Sequence, residues 1–239
     1  SQVDGFEPVW RGERLVQREV WTRSAVRCVI IGGRLPEIAF QTITGSLTSD
    51  TSYTFSSQPI GTAHNSRLVI VAVAYINSSA SSATCTIAGG AATEISGAGI
   101  RSSSGGSTEV QVKMFARIVT SGTTASIVVN TGSASGCWIG IWSAYYLRSA
   151  TAVDAEAYYA SGSTNILDLD VSSRGVACGF GLMPNAVSWT GMTEEHDAIT
   201  AGVWMTGATY TAGAAESPRT VRINTSPGAG ATACAASFR

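Results

Sequence analysis

Charge is scarce in this sequence. Asp, Glu, Lys and Arg make up 13% of its 239 residues, where a globular domain usually carries about a quarter. The formal net charge is -1, and a single lysine, Lys113, stands beside 14 arginines. A chain without a basic excess has little electrostatic means of capturing nucleic acid or an anionic membrane, so neither is expected as a partner. Long apolar runs are missing too. Val69–Tyr75 is the strongest, and it falls far short of the ~20 residues that span a bilayer as a helix.

Reactive side chains are equally few. The five cysteines, Cys28, Cys85, Cys137, Cys178 and Cys234, are scattered, with no CxxC pair and no neighbouring histidine. That excludes the usual metal and disulfide-scaffold patterns and leaves them as small buried hydrophobes. Gly132-Ser-Ala-Ser-Gly136 carries Ala where a nucleophile elbow needs its nucleophile. No glycine-rich loop ends in Lys, so phosphate cradling of that kind is absent. No cofactor and no metal is expected.

Gly, Ser, Thr and Ala fill the space that charge leaves. Short apolar runs recur between turn signals such as Gly89-Gly90, Ser121-Gly122 and Ser226-Pro-Gly-Ala-Gly230. Strands are predicted at Thr51–Ser56, Arg67–Asn77, Ala83–Ala88, Glu109–Thr120, Ala125–Asn130 and Cys137–Leu147. Further strands are predicted at Val153–Ala160, Ile166–Val171, Gly175–Met183, Ile199–Tyr210, Arg219–Asn224 and Ala231–Phe238. About a dozen strands without a long helix between them imply an all-β fold: an antiparallel β-sandwich, jelly-roll-like.

Composition breaks near residue 40. Residues 1–37 hold six Arg and five acids, whereas residues 38–100 hold only Asp50, Arg67 and Glu94. The break predicts an N-terminal arm over residues 1–45 and a β-sandwich domain over 46–239. Short strands are favoured in the arm, with a helix over Arg14–Arg27 as the alternative. Its two tryptophans cannot be buried by so small a segment, so the arm is expected to dock on something larger.

Two acidic pairs, Asp154/Glu156 and Asp168/Asp170, have i, i+2 spacing, so each pair shares one strand face. Such pairs suit Ca²⁺ ligation or glycoside hydrolysis, and equally the wet face of a half-buried strand, which is the favoured reading. The only acidic cluster with a histidine is Glu194-Glu195-His196-Asp197. Neighbours on a strand point to opposite faces, so a solvated loop is preferred to a metal site. His64 reads as a polar loop residue ahead of the strongest strand. No catalytic residue emerges. Aromatics offer a binding surface instead: Trp138, Trp142, Tyr158 and Trp189 are candidate glycan-stacking residues, with core packing as the competing explanation.

Two stretches resemble known proteins. Val9-Trp-Arg-Gly-Glu-Arg-Leu-Val-Gln-Arg-Glu-Val-Trp21 resembles the Val-Trp-x-Gly repeats at the N-termini of tailed-phage and prophage appendage proteins. Ser52-Tyr-Thr-Phe-Ser-Ser-Gln-Pro-Ile-Gly, Arg67-Leu-Val-Ile-Val-Ala-Val-Ala and Thr84-Cys-Thr-Ile-Ala-Gly-Gly-Ala-Ala-Thr93 resemble a domain common in phage and gene-transfer-agent structural proteins. The resemblance covers roughly the first hundred residues and implies no catalytic residue. It implies a non-enzymatic virion structural protein, a spike, fibre or decoration subunit on the outer surface of a phage-like particle. Trp10, Arg14, Arg18, Trp21 and Arg23 would dock the arm on other virion proteins. The sandwich would contact host-surface glycan or stabilise the particle, in a homo-oligomer for which a trimer is the candidate state. A secreted carbohydrate-binding module is the alternative. A β-sandwich hydrolase or lyase using the acidic pairs is the weakest reading.

Overall fold

The computed structural model describes residues 34–77, 82–101, 109–160, 164–213, 216–224 and 231–239. The arm residues Trp10, Arg14, Arg18, Trp21 and Arg23, and with them Cys28, lie outside the described residues. One compact unit runs from Pro36 to Arg239. Every regular element described in it is a strand.

The first half supplies β1 (Glu37–Ser46), β2 (Asp50–Pro59), β3 (Leu68–Asn77), β4 (Thr84–Ile87) and β5 (Gly90–Ala91). It continues with β6 (Thr93–Glu94), β7 (Ile100–Arg101), β8 (Glu109–Ile118), β9 (Thr124–Ala134) and β10 (Gly136–Tyr145). One sheet has the order β1-β10-β3-β8-β6, with β7 also pairing β8, and the facing sheet has the order β2-β9-β4-β5. Successive long strands therefore alternate between sheets, and the last strand returns beside the first. That is the antiparallel winding of a jelly roll.

The second half repeats it. β11 (Asp154–Ala160), β12 (Thr164–Val171), β13 (Val176–Met183) and β14 (Ser188–Thr190) are followed by β15 (Thr193–Thr200), β16 (Val203–Thr211), β17 (Glu216–Asn224) and β18 (Ala231–Phe238). Their sheets have the orders β11-β18-β13-β16-β15 and β12-β17-β14. The strand order is that of the first roll again, with β15 in the place of β6 and no described counterpart of β5 or β7. The antiparallel sandwich architecture holds. The single sandwich expected over 46–239, however, is two jelly rolls in tandem.

The rolls stack through their inner sheets, giving four layers and three cores. On β3, Leu68, Ile70, Ala72 and Ala74 join the central core, while Val69, Val71, Val73 and Tyr75 join the outer core of the first roll. Both sets are buried because each face of the strand meets another sheet. This explains the continuous apolar run, which a sheet wet on one face would not need. β10, β13 and β18 obey the same rule. A third core, built on Leu167, Leu169, Val171, Val221 and Ile223, fills the second roll.

Bulk is matched to space in the central core. Trp142 meets Phe40 and Phe180 edge-on, with ring centroids 5.8 and 6.2 Å apart. A Cβ on Gly140 would come within 2.8 Å of Phe180 and Trp142, and one on Gly207 within 3.2 Å of Trp142, so bare backbone makes room for the indole. Trp138 Nε1 donates to the carbonyl of Thr200 at 2.8 Å, a hydrogen bond from one roll to the other.

Two expected boundaries move. β1 begins at Glu37 and pairs with β10, so the arm predicted to run to residue 45 gives up its last part to the first roll. The strand predicted over Ile199–Tyr210 is two strands: Ala201 and Gly202, both with left-handed φ, turn β15 back onto β16. β15 itself was expected as a loop, because Glu194-Glu195-His196-Asp197 has no apolar alternation to advertise a strand.

Candidate functional site

Of the four candidate stacking residues, three are not open to a ligand. Trp138 and Trp142 are fully buried in the central core, and the glycan-binding expectation for them is corrected: the interface between the rolls needs their bulk. Trp189 lies over Gly179 in the core of the second roll, and its Nε1 donates to Thr206 Oγ1 at 2.6 Å. Tyr158 alone is exposed, at 41%.

Tyr158 shares a face of β11 with Asp154 and Glu156, since Ala155 and Ala157 on the alternate face pack on the central core. The two acidic pairs do meet there. Both Asp154 oxygens accept backbone N–H groups: Oδ1 from Ala155 at 2.9 Å, and Oδ2 from Asp170 at 2.7 Å. Asp154 thus ties the edge of one sheet to the edge of the next. Glu156 is held above the ordinary carboxylate range by desolvation, then by the charges of Asp154 and Asp168. The folded state therefore holds the Glu156 proton more tightly than the unfolded chain. Its contribution to stability is present below the ordinary carboxylate pKa and is lost as pH rises through the folded value. Glu156→Gln is expected to raise the thermal midpoint near neutral pH, with the gain shrinking on acidification. Scanning calorimetry across that pH range checks it.

The Glu194–Asp197 cluster does not converge. Asp197 accepts Trp204 Nε1 at 2.6 Å and the Val187 N–H at 3.1 Å, while Glu195 accepts Thr209 Oγ1 at 2.5 Å. His196 stands against Phe40, and its pKa is lowered by desolvation, opposed by Asp197. Desolvation, with the charge of Asp197, also raises Glu194. Among the described residues no group of three or more His, Cys, Asp or Glu could hold a metal ion. Cys85, Cys137, Cys178 and Cys234 are free and buried, as expected of small hydrophobes. Burial pushes the Cys85 and Cys178 thiols up to about 12, so they stay protonated and unreactive at neutral pH.

Two surface cavities lined by described residues bear on function. The larger, about 570 Å³, lies between β6, β8 and Ala150–Ala152. Its charged groups are already committed: Arg117 donates to the carbonyls of Ile87 and Ala88, and Glu94 pairs with Lys113 at 2.8 Å.

The smaller, about 360 Å³, is a groove where β1 and the end of β10 meet the loop after β2. Glu37 lies directly opposite Tyr145 in the β1–β10 ladder, so their side chains share a face. Gln41 is the extra residue of a bulge between Phe40 and Thr42. Its place two residues beyond Ala39 keeps it on the Glu37 side while the bulge returns Ile43 to the central core. Tyr145, Tyr146 and His64 form an aromatic cluster, with His64 4.8 Å from Tyr146 and 6.1 Å from Tyr145.

The groove is held rigidly. Arg67 is fully buried, and its guanidinium donates to four carbonyls: Gly61 at 2.7 Å, Val119 at 2.9 Å, Ser121 at 2.8 Å and Gly122 at 2.9 Å. Gly61 itself has φ +75°, and a Cβ there would collide with the Tyr145 hydroxyl. Ser143 Oγ donates to the carbonyl of Ile60 at 2.6 Å, and the Tyr145 hydroxyl donates to that of Thr62 at 3.1 Å. Tyr146 carries φ +57°, a strained value for a side chain of its size. Sequence reasoning passed over this site because its residues come from three separate segments.

No protein-family model matches the sequence, and no curated protein matches it. Among solved structures, the chain is similar to an anti-sigma factor domain-containing protein at 8% identity and a TM-score of 0.23, over 86% of this chain and 89% of that one. A TM-score that low carries no argument.

Proposed function

We propose that the protein is a non-enzymatic structural subunit on the outer surface of a phage-like particle, a spike, fibre or decoration subunit. The observation that supports this most is the tandem jelly roll with its two doubly buried inner sheets. Jelly rolls serve as viral capsid and lectin domains, and stacking two of them makes a stiff projecting body with little charge. The resemblance of the first hundred residues to phage structural proteins points the same way. In this reading the arm, with Trp10, Arg14, Arg18, Trp21 and Arg23, docks on neighbouring virion proteins. The rolls face outward, and copies associate as a homo-oligomer. Exposed Leu47 and Ile199 supply apolar area for that association.

Deleting residues 1–35, outside the compact unit, tests the reading. The truncated chain is expected to fold with an unchanged thermal midpoint and to be lost from particles assembled with it in place of the full chain. Full incorporation of the truncated chain would overturn the docking role. A secreted carbohydrate-binding module is the second reading, favoured by the aromatic groove beside Glu37.

A further inference from the structure

The groove between β1, the end of β10 and the loop after β2 has unspent hydrogen-bonding capacity. The Ser66 backbone N–H donates to His64 Nδ1 at 3.1 Å, and the Ser66 hydroxyl lies 2.9 Å from the same nitrogen. Nδ1 is thus the acceptor of the neutral ring, and the proton sits on Nε2, which keeps its donor for a ligand. Glu37 is exposed and has no hydrogen-bond or ion-pair partner among the described residues, so both carboxylate oxygens can accept. Tyr145 and Tyr146 present half-buried rings 6.3 Å apart, tilted by 42°.

We propose that this groove is a saccharide site that takes a neutral hexose unit. The C–H face of the sugar lies on the Tyr145 and Tyr146 rings, its hydroxyls donate to Glu37, and one hydroxyl accepts from His64 Nε2. The proposal rests on the host-contact side of the function given above and adds the ligand class and the residues that hold it. Three features set that class. A hexose offers an apolar face and a ring of hydroxyls that both donate and accept, which matches aromatic rings bordered by one carboxylate and one N–H donor. Glu37 disfavours acidic sugars by like-charge repulsion. A quaternary ammonium would need rings splayed around it, but these pack on one another at 4.8–6.3 Å and leave no space between them.

The size agrees. Small-molecule sites run from ~300 to ~1,000 Å³, and about 360 Å³ suits a mono- or disaccharide. The anchoring of Tyr145 to Thr62, and of Gly61 by Arg67, means that little ordering remains to be done on binding.

The test uses the full chain on an array of neutral, amino, acidic and choline-bearing glycans, followed by titration calorimetry with the best neutral sugar. Binding to a neutral hexose-containing glycan is expected. Glu37→Gln should weaken it by about tenfold at an unchanged thermal midpoint, and His64→Gln should weaken it by a similar factor. Tyr145→Phe, which keeps the ring and drops only the hydroxyl, should retain most of it. Failure to bind any neutral sugar, binding only to choline, or full affinity in both polar variants would overturn the proposal. Particle incorporation is scored separately. Incorporation without sugar binding removes the site and leaves the structural role, whereas sugar binding without incorporation removes the virion assignment and leaves the site.

Discussion

Arg67→Ala is expected to cost about 3–5 kcal/mol of unfolding free energy, a large part of the ~5–15 kcal/mol that usually holds a domain together. The guanidinium is fully buried, no carboxylate pairs with it among the described residues, and four backbone carbonyls take its place. Gly61 belongs to the loop before β3, and Val119, Ser121 and Gly122 to the turn after β8. Removing the side chain takes one shared donor from all four acceptors, of which the Val119 carbonyl is the buried one, and empties a fully buried volume between the two loops. Arg67→Lys should recover only part of the loss, because an ammonium is a point donor and cannot span acceptors on two loops. Arg67→Met isolates the hydrogen bonds, since it keeps most of the volume and none of the donors. Urea denaturation followed by tryptophan fluorescence measures all three. A loss under ~1 kcal/mol for Arg67→Ala would mean that the loops close without it.

Trp142→Ala is expected to be about as damaging, at about 3–5 kcal/mol, and to change how the protein unfolds. Trp142 fills the space between the inner sheets, against Phe40, Phe180 and the bare backbone of Gly140 and Gly207. Emptying that space removes packing that couples one roll to the other, so a single cooperative transition should separate into two. Phenylalanine gives a finer contrast. Trp142 Nε1 is buried without a hydrogen-bond partner, whereas Trp138 Nε1 bonds the carbonyl of Thr200. Trp142→Phe deletes a polar group that contributes nothing, while Trp138→Phe leaves Thr200 unsatisfied. The second should therefore cost about 1 kcal/mol more than the first. Calorimetry resolves both the number of transitions and this difference.

Much of the fold can be read from local pattern. Turn residues bracket apolar runs, and nearly every predicted strand from Thr51 to Phe238 falls on an observed one. The failures have specific causes. β1 was hidden by the polar residues around it, since Glu37, Ala39 and Gln41 face a groove and not a core. β15 was hidden because its acids bond individual neighbours, Trp204, Val187 and Thr209, across or beside its hairpin. The Ile199–Tyr210 strand ran through a two-residue turn whose left-handed pair, Ala201-Gly202, is easily missed within an apolar stretch.

The candidate site was less legible. Trp138 and Trp142 share a face of β10, as their spacing requires, but spacing cannot say whether that face meets water or a second sheet. Tyr145 owes its partnership with Glu37 to the β1–β10 register. Its proximity to His64 depends on a loop carried between strands by Arg67.

The sequence by itself determined the all-β class, the turn positions and the burial of the four described cysteines, because alternation, Gly and Ser placement and apolar context act over a few residues. Only the tertiary structure decided that there are two rolls, which tryptophans are core, and that Glu37, His64, Tyr145 and Tyr146 line one groove. Those outcomes depend on which sheet lies against which, and a strand buried on both faces loses the alternation that would have announced its neighbours.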